Sequence, residues 1–164
     1  MPQLPDRKTI RLQHYDYHSK GVYHVTICSR DRKYLFGAVI DGRMALNDLG
    51  EMADKNVQAI PGYYPEAEVI EYVVMPNHVH ILLGMGTETD ANYGVPTVKH
   101  SLGQIIRAYK ASVSRACGRS VWQPRFYEHI IRNEQDLMET ISYIRNNPKA
   151  WDKDDLFTPF PSIP

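Results

Sequence analysis

The feature that most constrains the fold of this chain is the stretch EVIEYVVMPNHVHILLG, residues 68–84. Glu68 to Met75 is rich in Val, Ile and Tyr, Pro76-Asn77 suits a tight turn, and His78 to Gly84 resumes an apolar run. Two such runs separated by two turn residues predict a pair of antiparallel strands joined as a hairpin.

The second strand of this hairpin places two histidines on one face. Residues two apart in a strand share a face, so His78 and His80 point one way, whereas Val79, Ile81 and Leu83 point the other way and can anchor the strand in a core. The two ring-bearing carbons lie about 6–7 Å apart, so both imidazoles can reach one ion. Taken alone, the pattern also fits two unrelated polar residues on a solvated face.

The remaining elements place this hairpin in a recognisable order. The sequence predicts a strand over 21–30, a small hairpin over 35–46 around Asp41-Gly42, a helix over 48–60 capped by Asn47, a helix over 98–117, a strand over 126–132, and a last helix from Asn133 to Asn146. This is the split βαβ order of an α+β, ferredoxin-like (RRM-like) antiparallel sheet with helices on one face. The small hairpin is then an insertion, and the last helix an addition at the C-terminus.

Periodicity predicts which side chains face the core. The predicted inward positions are Val25 and Ile27 in the first strand, Leu102, Ile105, Ile106, Tyr109 and Val113 in the second helix, and Leu137, Ile141 and Ile144 in the last. In the first helix, Met52, Val57 and Ile60 are predicted to lie partly inward.

Length and cysteine content indicate one domain over residues 1–164 in a reducing compartment. The chain has 164 residues and two cysteines, Cys28 and Cys117, with no apolar signal segment and no run approaching a membrane span. We therefore expect a soluble cytoplasmic protein. The loop over 84–99 and an extended tail over 149–164 complete the predicted organisation.

The charge is unevenly distributed although its sum is zero. Residues 7–33 carry seven Lys or Arg against two acids, residues 99–132 seven against one, and residues 41–71 two against seven acids. If the fold brings the two basic segments together, they create a local positive field that can hold phosphates. A scattered, solvated charge distribution is the alternative.

The last helix carries a second candidate constellation. At 100° per residue, Asp136, Thr140, Tyr143 and Asn147 form a stripe on the flank of the helix, off the core. Tyr143 and Asn147 are neighbours one turn apart, which sets a nucleophile beside a potential amide oxygen ligand. This combination suits a phosphoryl-transfer site, although a tyrosine that covers a helix flank is the ordinary alternative.

Several segments resemble one family. VVMPNHVHILL, SLGQIIRAYKASV and VWQPRFYEHIIRNEQDLMETISYIRNNP, in this order and preceded by RLQHYDYHSKGVYHVTICSRDRKYLFG, resemble the single-tyrosine HUH transposases. The resemblance is nearest to the REP-associated tyrosine transposases and their insertion-sequence relatives, and it covers most of residues 7–150. It implies a ferredoxin-like sheet, single-stranded DNA recognised beside a hairpin as substrate, and Mg²⁺ or Mn²⁺ as the ion.

The resemblance also implies roles for individual residues. His78 and His80 match the histidine pair of the family, Tyr143 its catalytic tyrosine, and Asn147 the position of a third, amide-bearing metal ligand. Tyr143 would form a 5′-phosphotyrosyl link and leave a free 3′-hydroxyl, so that the strand can later be rejoined. A homodimer and a monomer are both compatible with the sequence, and the acidic DKDD stretch after NNPKAW departs from relatives with longer C-terminal segments.

Basic and aromatic residues are further candidates for DNA contact. The candidate phosphate contacts are Arg11, Lys20, Arg107, Lys110, Arg125 and Arg132. Trp122, Phe126 and Tyr127 could stack on unpaired bases, although Trp122 and Phe126 fit a core equally well. His129 has no assigned role.

Two other classes of function compete with the strand transferase. A derived protein could bind hairpin DNA and regulate without cutting it. A metal-dependent hydrolase could use an activated water, in which case activity would survive the substitution Tyr143→Phe.

Overall fold

The computed structural model describes residues 21–86 and 100–157. It contains six strands, β1 (Gly21–Cys28), β2 (Gly37–Ile40), β3 (Arg43–Leu46), β4 (Ala67–Met75), β5 (His78–Met85) and β6 (Tyr127–Ile130). It contains three α-helices, α1 (Asp48–Tyr63), α2 (Leu102–Cys117) and α3 (Glu134–Asn146), and two short 3₁₀ turns at Arg30–Arg32 and Trp151–Lys153.

Four strands form one antiparallel sheet in the order β4-β5-β1-β6. With α1 between β1 and β4 and α2 between β5 and β6, this is the predicted ferredoxin-like arrangement. Among the described strands, β2 and β3 pair only with each other, as the inserted hairpin around Asp41-Gly42 requires. The fold class expected from the order of elements is therefore confirmed.

One face of the sheet carries the main core. Tyr23, Val25 and Ile27 of β1 and the alternating apolar residues of β5 pack there against α1 and α2. All five positions of α2 that the periodicity placed inward are buried. The helix begins at Leu102, later than the sequence predicted, because the Ser101 side chain accepts a hydrogen bond from the backbone N–H of Gln104 and forms a capping box.

Helix α1 differs from its prediction in register and length. Met52 is exposed, and Gly50 and Ala53 lie inward instead. A side chain on Gly50 would meet the carbonyl oxygen of Phe36, so the helix packs closely against the chain that leads into the small hairpin. The helix also continues through Pro61 to Tyr63, with the backbone N–H of Tyr64 donating to the carbonyl of Ile60.

Helix α3 contacts β4 and β5, and its residues face the histidine-bearing side of the sheet. Ile144 is buried as predicted, but Leu137 and Ile141 are only partly buried, whereas Thr140 and Asn147 are buried. The flank expected to lie off the core therefore packs on the sheet. The reason is that the sheet face on which the helix packs carries the polar histidines, so polar residues of the helix are suitable packing partners.

The chain after α3 differs from an extended tail as far as it is described. Trp151 and Leu156 are 7% and 2% exposed. Residues 158–164, the loop over 87–99 and the first twenty residues lie outside the described part, which includes Arg11 and Lys20. None of the helices within the described ranges has the length and apolar character that crossing a membrane requires.

Candidate metal centre and neighbouring tyrosine

His78 and His80 lie on the sheet face opposite the main core, and both are fully buried. Their Nε2 atoms are 3.2 Å apart. This convergence follows from the strand alternation that places Val79 and Ile81 in the core. Two imidazole nitrogens aimed at one point are a possible metal-binding pair.

The neighbouring Asn77 orients His78. The Asn77 amide nitrogen donates to the Leu156 carbonyl at 2.7 Å, so its oxygen faces His78 Nδ1 at 2.8 Å. This oxygen can only accept, and the proton of His78 therefore resides on Nδ1. The lone pair of His78 is left on Nε2, the atom that faces His80.

His80 is oriented from the adjacent strand. In the register of β1 and β5, Thr26 is directly opposite His80. His80 Nδ1 lies 2.9 Å from Thr26 Oγ1 and 3.0 Å from His24 Nε2, both of which can accept its proton. These contacts favour an unprotonated His80 Nε2, as hydrogen-bond acceptors on the far nitrogen of metal-bound histidines do.

Burial keeps the imidazoles neutral. It lowers the pKa of His78 to about 3 and that of His24 to about 4, in each case as the largest cause. Burial, and then the neighbouring His78 and His24, hold the pKa of His80 well below its ordinary value. Neutral imidazoles have free lone pairs at neutral pH, which is the state that a metal ion requires.

Asn147 lies beside the histidine pair formed by His78 and His80. It is 3% exposed, and its Oδ1 atom has no hydrogen-bond partner among the described residues. Its side chain is close enough to His78 and Tyr143 to influence the pKa of both. A buried amide oxygen without a donor costs free energy unless another group binds it. A cation beside the two histidines would satisfy it.

Tyr143 lies beside the same histidines. Its ring centroid is 5.3 Å from that of His80 and 6.0 Å from that of His24. Burial, followed by the negative charge of Asp154, raises its pKa above the ordinary value. Tyr143 is therefore a protonated phenol at neutral pH, and it must lose its proton in order to act as a nucleophile.

A carboxylate that sequence reasoning missed completes the cluster. Asp154 Oδ2 lies 3.7 Å from His78 Nε2, and potential ligand atoms of His78, His80 and Asp154 all lie within 4.8 Å of one another. The stretch DKDD gave no reason to single out one of its acids. His24, Thr26 and Asn77 were missed as well, although strand alternation already placed His24 and Thr26 on the face opposite Val25.

The donor set fits a divalent cation. Ligand atoms about 2.1 Å from an ion and about 90–109° apart lie roughly 3.0–3.5 Å from one another. The separation of 3.2 Å between the histidine nitrogens agrees with this spacing. Two neutral nitrogens, an amide oxygen and a carboxylate are suitable ligands for Mn²⁺ and, less strongly because of the nitrogens, for Mg²⁺.

Three of the predicted DNA-contact residues lie together elsewhere. Arg107, Lys110 and Arg125 line one cavity of about 670 Å³ between α2 and the chain that leads into β6, together with Trp122 and Phe126. The Lys110 ammonium donates to the Gln123 carbonyl at 2.7 Å. The Trp122 indole is 4% exposed and donates to the Lys110 carbonyl, so Trp122 is a core residue.

Two other candidates lie away from that cavity. Arg132 is exposed beside the start of α3, where its backbone N–H donates to Asp136. Tyr127 is 8% exposed and packs with Cys28 and Leu156. The His129 ring lies 2.9 Å from both carboxylate oxygens of Asp136.

Comparisons with known proteins give a consistent result. A model of the family described as "Transposase IS200 like" matches residues 17–147. An uncharacterized protein of Haemophilus influenzae is 35% identical over 167 residues, covering 92% of this chain and 93% of that protein. The REP-associated tyrosine transposase of Escherichia coli K12 is 32% identical over 96 residues, covering 57% of this chain and 52% of that protein.

A solved structure agrees with these sequence matches. The structure of a REP-associated tyrosine transposase bound to a REP hairpin matches with a TM-score of 0.64 and 25% identity, covering 86% of this chain and 74% of that chain. The family match includes both histidines, Tyr143 and Asn147, and it ends before Asp154.

Proposed function

Because the chain belongs to the family of IS200-like transposases, we propose that it is a metal-dependent strand transferase that cuts and rejoins single-stranded DNA beside a hairpin through a 5′-phosphotyrosine intermediate. The observation that carries this proposal is the position of Tyr143 beside two neutral, converging histidine nitrogens. A protein that only binds DNA has no need of a phenol at this place.

The metal-binding residues in this proposal are His78, His80 and Asn147. A divalent ion, Mg²⁺ or Mn²⁺, would supply positive charge to polarise the scissile phosphate. The chain contributes a buried site in which both histidines are neutral and already oriented by Asn77 and Thr26. This pre-organisation reduces the cost of assembling the site around substrate.

Tyr143 is the nucleophile of the proposed reaction. Its phenolic oxygen forms a bond to phosphorus as it loses its proton, and the bond from phosphorus to the 3′-oxygen breaks. The 3′-oxygen leaves and takes up a proton to become a hydroxyl. Because the product is still a phosphodiester, a 3′-hydroxyl can attack it and rejoin the strand without ATP.

The basic cavity formed by Arg107, Lys110 and Arg125 supports a nucleic-acid substrate. Arginine and lysine side chains offer charge to phosphates, and the adjoining Phe126 offers a ring face to an unpaired base. A related transposase was solved bound to a REP hairpin, and we extend hairpin DNA to this chain as a proposed partner.

The test uses Mn²⁺ and labelled single-stranded hairpin oligonucleotides from the DNA that flanks the gene of this protein. We expect label that stays with the protein in a denaturing gel, and its loss in Tyr143→Phe, because only the nucleophilic hydroxyl is removed. The matched control is Tyr63→Phe, since Tyr63 is 78% exposed at the end of α1 and should leave the adduct intact.

Three results would contradict the proposal. An adduct that persists in Tyr143→Phe would exclude this tyrosine as the nucleophile. Hairpin binding without any adduct under Mg²⁺ or Mn²⁺ would favour the non-cutting regulator, and cleavage without adduct that survives Tyr143→Phe would favour the hydrolase.

A further inference from the structure

We infer that Asp154 is a fourth protein ligand of the same ion, so that the chain following α3 contributes a carboxylate to the site formed by His78, His80 and Asn147. This inference deepens the proposed function and rests on it, since it concerns the ion of the same site. Asp154 lies beyond the residues that match the family, 17–147, so the family match assigns it no role.

The carboxylate is held in a position suited to a ligand. Its Oδ1 atom accepts a hydrogen bond from the backbone N–H of Leu156 at 2.8 Å. The other oxygen, Oδ2, is 3.7 Å from His78 Nε2, too far for a hydrogen bond but near the spacing of two ligands around one ion. One oxygen therefore fixes the side chain and the other faces the histidines.

The segment that carries Asp154 is anchored to the site rather than lying free. Leu156 is buried, and its carbonyl accepts from the Asn77 amide nitrogen. The same Asn77 side chain orients His78. The Trp151 ring lies 5.9 Å from the His78 ring at an interplanar angle of 33° and also contacts Phe157. Asp154 is thus placed by contacts on both sides of it in the chain.

Within residues 21–86 and 100–157, Asp154 has no Lys or Arg at ion-pair distance. Its partner at that distance is the buried ring of His78. A partly buried carboxylate without a positive partner is unfavourable. A divalent ion between Asp154 and the two histidines would supply the missing charge, and a carboxylate oxygen is a ligand that Mg²⁺ and Mn²⁺ favour.

The test measures metal binding by the full chain in the absence of DNA. Calorimetric titration with Mn²⁺ should give a dissociation constant that rises about tenfold or more in Asp154→Asn. The substitution keeps the shape of the side chain and an oxygen for the Leu156 N–H, and thermal melting of the metal-free protein checks that the fold persists. The matched control is Asp155→Asn, which removes the same charge from the exposed neighbouring position and should change the constant by less than about threefold.

A second measurement reports on the coordination itself. If Asp154 binds the ion, its loss frees a position that water can occupy, so the water-proton relaxivity of the bound Mn²⁺ should rise in Asp154→Asn and stay unchanged in Asp155→Asn. Equal Mn²⁺ affinity and relaxivity in the wild type and Asp154→Asn would overturn the inference, as would a wild-type protein that binds no Mn²⁺.

The two proposals fail separately. Unchanged Mn²⁺ binding in Asp154→Asn together with a Tyr143 adduct would remove Asp154 from the site and leave the strand transferase intact. Weakened binding in Asp154→Asn without any adduct would keep the ligand and reject the transferase.

Discussion

The neutral state of the buried histidines predicts an acid-sensitive fold when metal is removed. The perturbation is a change from about pH 7.5 to about pH 5 in the presence of a chelator. In the folded chain the pKa of His78 is about 3 and that of His24 about 4, so both stay unprotonated over this range. In the unfolded chain each histidine titrates near 6.5 and takes up a proton.

The sign and size of the effect follow from this difference. Because the unfolded state binds more protons below pH 6.5, the free energy of unfolding falls as the pH falls. About pH 5 lies about 1.5 units below the unfolded-state pKa, and each unit corresponds to about 1.36 kcal/mol. Each histidine therefore lowers the free energy of unfolding by about 2 kcal/mol at this pH. The loss is about 4 kcal/mol for His78 and His24 together, and it requires only that both folded-state pKa values lie below about 5. His80 shifts in the same direction and adds to it.

Urea unfolding followed by circular dichroism at several pH values measures this loss directly. The same series at high salt separates the burial effect from surface charge, since exposed charges are screened and desolvation is not. The slope of the unfolding free energy against pH gives the number of protons taken up on unfolding, and in His78→Gln this number should be smaller by about one. An unfolding free energy that is equal at about pH 7.5 and about pH 5 would show that the folded chain protonates these histidines, and the neutral-donor interpretation would fail.

Two further predictions concern the contact that orients His80 and the proposed DNA surface. Thr26→Val keeps the side-chain shape but removes the oxygen 2.9 Å from His80 Nδ1, so Mn²⁺ should bind about tenfold more weakly by calorimetry. The control is Thr140→Val, which removes a buried hydroxyl that donates to the Asp136 carbonyl and should leave Mn²⁺ affinity unchanged. Equal affinity in Thr26→Val and the wild type would show that Thr26 does not orient His80. If Arg125 contacts a phosphate, Arg125→Gln should lower the slope of log binding constant against log salt concentration by about 0.7–0.9 for hairpin DNA. The control, Arg119→Gln at an exposed position, should leave this slope unchanged. A slope in Arg125→Gln identical to that of the wild type would remove Arg125 from the DNA surface.

The parts of the structure that the sequence predicted depend on local signals. Strand alternation identified which residues of β5 enter the core, and helical periodicity identified the buried side of α2. The sequence also predicted the N-caps of α1 and α3. The Asn47 side chain accepts from the backbone N–H of Gly50, and the Asn133 side chain accepts from that of Asp136. Each of these signals involves residues within a few positions of one another, which is why sequence alone reveals them.

The parts that it missed depend on distant contacts. The bond between Thr26 and His80 spans 54 residues, and it exists only because β1 pairs with β5 in one register. Asp154 reaches His78 through a segment whose sequence resembles an ordinary acidic tail. The rotation of α3 that buries Thr140 likewise reflects the surface on which the helix packs, and propensity carries no information about that surface.

The placement of the candidate site follows from how β5 uses its two faces. Val79 and Ile81 lie in the main core, and a slip of one residue would turn them toward α3 and the histidines toward the core. Packing of apolar residues thus fixes the register, and this register determines where His78 and His80 lie. The same packing brings the Nε2 atoms of the two histidines to 3.2 Å from each other. Loss of a proposed ligand such as Asp154 should therefore weaken metal binding while leaving the sheet intact, which is why metal affinity, rather than stability, is the sensitive measure of this site.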